Sequence, residues 1–186
     1  MESFILKPCQ EELNLCKKNY NIKQTAHANI DYNDSVCCKP WGHEFLIFSN
    51  NKLAIWYLKI KQGHSTSLHC HFNKDTLIIV LDGAARVGLY NNNNRIMRLL
   101  DSIYIPKYTF HSLSSFSEEV TLLEIEVFGN TTTFSDKNDL LRIQDNYIRP
   151  SIGYESSITI RRNNLEHYNF FKLQMVNEYT INNTTL

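Results

Sequence analysis

Short apolar runs, each closed by a turn-forming cluster, organise the chain from position 45 onward. The runs are FLIFS (45–49), KLAIWYLKI (52–60), STSLHCH (65–71), TLIIVLD (76–82), ARVGLY (85–90), RIMRLL (95–100), SIYIP (102–106) and VTLLEIEVF (120–128). Most are rich in β-branched and aromatic residues, and each is short enough to be one strand. Asn50-Asn51, Gly63, Asp82-Gly83, the Asn91 to Asn94 run and Pro106 supply the turns between them. Many strands at short, even spacing predict an antiparallel sandwich or barrel. The flanks are patterned differently. Residues 1–35 are polar, with Leu13, Cys16 and Tyr20 on one face of a short helix. Beyond Gly129 the alternation weakens. Residues 137–155 read as an ordered arm, ITIRR (158–162) as a further strand and 163–177 as an amphipathic helix.

Composition narrows the picture without redirecting it. The chain has 186 residues, 42% hydrophobic and 20% charged, as expected of one globular domain. Nineteen basic residues balance nineteen acidic ones, so nothing favours nucleic acid or an anionic membrane surface. No apolar run is long enough to span a bilayer. MESFILKPCQEEL lacks the pattern of a secretory signal, and five cysteines without framework spacing read as free thiols. A cytoplasmic protein that binds neither nucleic acid nor membrane is the expectation.

The candidate chemistry lies between Gly63 and Gly83. His69 and His71 are two apart in a predicted strand, so their side chains face the same way. His111 follows the strand that ends at Pro106, and it supplies a third imidazole. Neutral imidazoles suit divalent transition metals, and the spacing does not choose among zinc, manganese, nickel and iron. Cys70 lies between the two histidines, points to the opposite face, and reads as a small buried hydrophobe. His43 and His64 read as peripheral, although His64 is near enough in sequence to support the pair. Trp41 reads as a packing anchor.

Residues 63–83 resemble the first motif of the cupin family: a glycine, a His-x-His pair, a carboxylate position and a closing glycine. Residues 101–112 resemble the second, with Pro106 and His111. The resemblance implies an all-β fold, a single jelly-roll (double-stranded β-helix) barrel with short extensions at both ends. It also implies a divalent metal held by His69, His71 and His111. In one respect the chain departs from the pattern. Thr76 stands where the family carries a glutamate, and the neighbouring Asp75 faces the other way unless a bulge re-aims it.

A narrower resemblance rests on KPWGHE (39–44), LEIEVFG (123–129) and DKNDLLRIQDNYIR (136–149). These are similar to the C-terminal cupin module of bacterial mannose-1-phosphate guanylyltransferase/mannose-6-phosphate isomerase proteins and related stand-alone cupins. It implies an extension over 1–38, a barrel over 39–130 and an arm over 131–186. With about forty residues before Trp41 and no glycine-rich phosphate loop, no nucleotidyltransferase is expected here. The implied activity is a metal-dependent sugar-phosphate isomerase or epimerase in bacterial surface-carbohydrate precursor metabolism, working as a homodimer. Glu126 falls on the family's glutamate and is the candidate base, with Glu124 on the same face in reserve. Arg142 and Arg149 match the family pattern and would hold the phosphate of a sugar phosphate; Arg86 and Lys107 are further options near the mouth. Glu124 and Glu126 lining a solvated strand face is the plainer alternative. A non-catalytic sugar or nucleotide-sugar binding cupin and a three-histidine iron dioxygenase are the competing functions.

Overall fold

The computed structural model describes residues 1–19, 32–129, 139–149, 159–161 and 165–173. Two sheets face each other. The larger has eight strands: β1 (Ser3–Ile5), β9 (Ser102–Ile105), β6 (Lys74–Asp82), β11 (Glu119–Phe128), β4 (Leu53–Lys61), β3 (Gly42–Ser49), β2 (Val36–Lys39) and β13 (Thr159–Arg161), in that spatial order. The smaller has five: β12 (Leu141–Gln144), β5 (Leu68–Cys70), β10 (His111–Ser115), β7 (Ala85–Leu89) and β8 (Arg95–Met97). All pairings are antiparallel except β1 with β9. The sheets stay separate instead of closing into a barrel, although an isolated bridge at Gln62–Ser115 ties them at one corner.

Alternation builds the interior. Ile78 and Val80 on β6, Leu122 on β11, Trp56 and Leu58 on β4, and Val87, Met97 and Leu113 from the smaller sheet form one buried cluster. Burying an aliphatic side chain of this size contributes roughly 1.5–3 kcal/mol, so the shared inward parity fixes the register of each strand. The outer faces are covered as well. Val36, Phe45, Ile47 and Tyr57 pack under Leu165, Tyr168 and Phe170, and Cys70, Phe72, Phe110 and Leu141 pack under Cys16. Strands covered on both sides lose clean alternation, which is why KLAIWYLKI reads as a continuous apolar run.

Two glycines hold tight corners. Gly83 turns β6 into β7 with φ near 75°, and a side chain there would meet Glu119 O at 2.4 Å. Gly42, in the Lys-Pro-Trp-Gly turn between β2 and β3, allows Lys59 O to approach within 1.9 Å of the place a Cβ would occupy.

Helix α1 (Gln10–Asn19) begins where Glu12 Oε2 accepts the Cys9 N–H at 2.7 Å, the backward half of a capping box. Glu11 and Glu12 in its first turn and Lys17 and Lys18 in its last complement the helix dipole. Its buried residues are Glu12 and Cys16; Tyr20 lies outside the described residues.

Several expected elements differ. Strand β8 stops at Met97, which pairs with Ala85, the first residue of β7, and the chain then turns through Leu100 at a left-handed φ of 66°. Only Leu68–Cys70 of 65–71 is strand. Within the expected helix over 163–177 the described residues form a single 3-10 turn, Leu165–Tyr168, followed to 173 by chain without regular structure, with 163–164 and 174–177 outside the described residues. Strands β1 and β2 from the expected extension and β12 from the expected arm are integral members of the sheets.

Candidate metal centre and its cavity

The register of the smaller sheet assembles the site. On β5, His69 pairs with His111 of β10 on one side and with Arg142 of β12 on the other. Residues paired across strands share a face, so these three side chains form one row. His71 follows two positions after His69. The ring centroids lie 5.1 Å apart for His69 and His71, 4.6 Å for His69 and His111, and 5.7 Å for His71 and His111. One ring nitrogen from each lies within 4.8 Å of the other two, a group able to hold a metal ion.

Backbone carbonyls set the tautomers. His69 Nδ1 donates to Ser67 O at 2.8 Å, His71 Nδ1 to Asp139 O at 2.5 Å, and His111 Nδ1 to Thr109 O at 3.1 Å. A carbonyl can only accept, so each Nδ1 carries the proton and each Nε2 keeps its lone pair. Burial pushes His69 and His71 well below the ordinary imidazole range and His111 down to about 4. The charge of Lys74 contributes to the lowering at all three. The rings are neutral at pH 7, the form that binds metal. His71 Nε2 is buried with no hydrogen-bond partner. Such an atom is costly in a protein interior and fits a coordinating role. The donor set suits a divalent ion of the zinc, manganese, nickel or iron group.

Asp139 holds this arrangement from the far flank. Its Oδ1 accepts from Phe72 N at 3.0 Å and Asn73 Nδ2 at 3.1 Å, and its Oδ2 accepts from Asn73 N at 2.9 Å. One buried residue thus clamps the chain just after His71 and fixes the ring itself through its carbonyl.

The opposite wall comes from the larger sheet, where charged side chains replace apolar ones on the inward face. Glu124 and Glu126 of β11, Glu44 of β3, Lys39 of β2 and Lys74 of β6 all line the cavity. The solvated-face reading of Glu124 and Glu126 is therefore excluded: they are 7% and 1% exposed. Lys74 Nζ lies 2.6 Å from Glu126 Oε1, and Trp56 Nε1 donates to Glu126 Oε2 at 3.2 Å. Lys39 and Glu44 pair at 3.6 Å. Trp41, Leu58, Leu113 and Leu140 provide the apolar lining.

Arg142 is buried and lines the cavity beside His69. Arg149 also lines it, bound to Asp145 at 2.5 Å with its guanidinium 5.1 Å from the Tyr147 ring centroid. His64 Nδ1 lies 3.0 Å from Tyr147 Oη, so this histidine braces the arm that carries Arg149. Arg86 and Lys107 do not line this cavity. Ala85 and Val87 take the inward parity of β7, which leaves Arg86 exposed over the Phe116 ring at 5.5 Å. Lys107 is exposed on the turn after β9, with its N–H donating to Asp75 Oδ1 at 2.8 Å.

Asp75 does not replace the missing carboxylate. No bulge re-aims it, and its other oxygen accepts from Tyr104 Oη at 2.7 Å, away from the cavity. Thr76 pairs in register with Glu126, buried, with its hydroxyl lacking a hydrogen-bond partner. Lys39, Glu44, Lys74 and Asp139 are the site residues that sequence reasoning missed. Lys74 carried a signal, since it shares parity with Thr76, Ile78 and Val80.

Two facing sheets, antiparallel but for β1, with imidazoles meeting in the cavity between them, are the arrangement that the cupin resemblance of the sequence implies. The chain belongs to the mannose-6-phosphate isomerase C-terminal family, whose pattern it matches over residues 26–145. It is 27% identical over 107 residues to a mannose-1-phosphate guanylyltransferase of Sinorhizobium fredii, covering 58% of this chain and 20% of that protein. It is 27% identical over 111 residues to mannose-1-phosphate guanylyltransferase ManC of Salmonella typhimurium, covering 60% and 22%. The chain thus spans about a fifth of the length of these relatives. Among solved structures, KdgF from Halomonas sp. superposes with a TM-score of 0.46 at 18% identity, covering 50% of this chain and 83% of that one. No helix among the described residues is long and apolar enough to cross a membrane.

Proposed function

We propose that this chain is a metal-dependent sugar-phosphate isomerase of the mannose-6-phosphate type, acting in the supply of precursors for surface carbohydrate. The observation that carries the reading is the set of three tautomer-fixed imidazoles facing a buried carboxylate, Glu126, across one cavity. Aldose–ketose isomerisation moves a proton between the two carbons that exchange the carbonyl. That task needs a positioned base and stabilisation of the oxygens that gain charge. A divalent ion held by His69, His71 and His111 would supply Lewis-acid stabilisation.

The remaining work falls to the chain's own side chains. Glu126 takes the proton from the carbon beside the carbonyl and returns it to its neighbour. Lys74 and Trp56 fix the two oxygens of that carboxylate, so it meets the substrate in one orientation. Glu124, two positions earlier on the same face, is the second carboxylate within the cavity. Arg142 and Arg149 receive the phosphate at the side of the cavity formed by β12 and the chain after it. Trp41, Leu58, Leu113 and Leu140 keep water from the reacting carbons.

The test is incubation of the metal-loaded chain with mannose 6-phosphate or fructose 6-phosphate in heavy water. Solvent deuterium at the carbon beside the carbonyl is the expected result. No incorporation into any hexose or pentose phosphate contradicts the isomerase. A second reading, a sugar or nucleotide-sugar binding module without catalysis, is favoured by Thr76 at the carboxylate position. Under that reading His71→Ala leaves sugar binding intact; under the isomerase reading it abolishes metal binding and turnover together.

A further inference from the structure

Helix α1 packs against the outer side of the strands that carry the histidines. Glu12 Oε1 accepts the Phe110 N–H at 2.7 Å, one residue before His111. Cys16 Sγ lies 3.5 Å from Cys70 Sγ, and 3.9 Å from Tyr108 O. Cys70 sits between His69 and His71 and points away from the cavity, so the isomerase chemistry has no use for it. The two thiols belong to separate elements, 54 positions apart, and are 3% and 0% exposed.

We propose that Cys16 and Cys70 are an oxidation site: hydrogen peroxide converts them to an intramolecular disulfide that bolts α1 onto the ligand-bearing strand. In the first step the Cys16 sulfur, the less enclosed of the two, attacks one peroxide oxygen. The O–O bond breaks, water leaves, and Cys16 becomes a sulfenic acid. The Cys70 sulfur then attacks the Cys16 sulfur, the S–O bond breaks, and a second water leaves. The two thiols lose two electrons and two protons, and one peroxide is reduced to two waters.

Forming the bond requires the sulfurs to close from contact to about 2.05 Å. The helix supplies that movement, because β5 is held on both sides by β10 and β12. Cross-linking residues so far apart in sequence restricts the unfolded chain, so the oxidised protein is the more stable form. The pair stands apart from the proposed catalysis, and its test needs neither metal nor sugar.

The test treats the full chain with hydrogen peroxide, alkylates the remaining thiols, and maps the products by tandem mass spectrometry. A loss of two hydrogen masses is expected, with the link between Cys16 and Cys70, reversal by dithiothreitol, and a higher thermal midpoint. Cys16→Ser and Cys70→Ser abolish both the link and the rise. Mapping of the unsubstituted chain decides the matter even where a variant folds poorly. Overturning results are oxidation of the more exposed Cys9 or Cys38 while Cys16 and Cys70 stay alkylatable, or a Cys16–Cys70 link that leaves the midpoint unchanged.

Discussion

Lys74 and Glu126 form an ion pair of 2.6 Å with side chains 3% and 1% exposed, on a cavity wall shared with Lys39, Glu44 and Glu124. A pair so enclosed is dangerous to halve. Lys74→Met leaves the buried Glu126 carboxylate without the cation that pairs it at 2.6 Å, and the expected loss is about 3–5 kcal/mol in urea unfolding at pH 7. Adding Glu126→Gln removes the stranded charge, keeps an acceptor for Trp56, and recovers most of that loss. A single-variant cost below about 1 kcal/mol contradicts the geometry.

Thr76 offers a gain-of-ligand test. It pairs with Glu126 across the sheet and shares its face, so a longer acidic side chain there adds a carboxylate to the cavity. Thr76→Glu is expected to raise zinc affinity at least about tenfold in competition with a chelator, as a fourth ligand should. The metal-free variant is expected to unfold more readily, because it carries one more buried charge.

Asp139 accepts three hydrogen bonds from the chain after His71 and a fourth, at its carbonyl, from the ring. Asp139→Ala removes the acceptor of three donors, the buried Phe72 N–H and two on the half-buried Asn73. The expected costs are roughly 3 kcal/mol of stability and a 10–100-fold loss of metal affinity, measured by unfolding and by zinc titration. Unchanged affinity would show that the clamp does not position His71.

His43 supplies a pH signature remote from the metal centre. It stacks with Tyr57 and lies edge-on to Tyr168, and burial pushes its pKa down to about 4. Lys59 on the paired strand acts in the same direction. Between about 4 and 6.5 the unfolded chain binds a proton at His43 that the folded chain does not. This contribution to stability is complete above about 6.5 and disappears as the pH falls to about 4. His43→Phe keeps the stacking and is expected to flatten the unfolding free energy across that window relative to the unsubstituted chain.

The clustering of the three histidines was legible because two independent cues agree: the two-residue spacing expected of a strand puts His69 and His71 on one side, and the turn at Pro106 returns the chain so that His111 pairs with His69. Glu126 was legible through resemblance, but its partner was not, because a lysine at the head of a strand reads as a solvated end. The parity that Lys74 shares with Ile78 and Val80 was the available cue. Asp139 has no periodic signature; its contacts lie 66 to 68 positions away and exist only once the flanking segment is docked. The same holds for β1, three residues whose partners on β9 are 99 positions distant. RIMRLL has strand composition, yet its last residues turn so that Leu100 N can reach Val80 O at 2.9 Å. Arg86 was misplaced by a counting step, since on a two-residue period its exposure follows from the burial of Ala85 and Val87.

X-ray absorption spectroscopy of the zinc-loaded chain tests the central claim most directly. Three imidazole nitrogens at about 2.0–2.1 Å, reduced in number by His71→Ala, are the predicted first shell. Sulfur scattering at about 2.3 Å, or zinc that washes out of the unsubstituted chain as readily as out of His71→Ala, would contradict it.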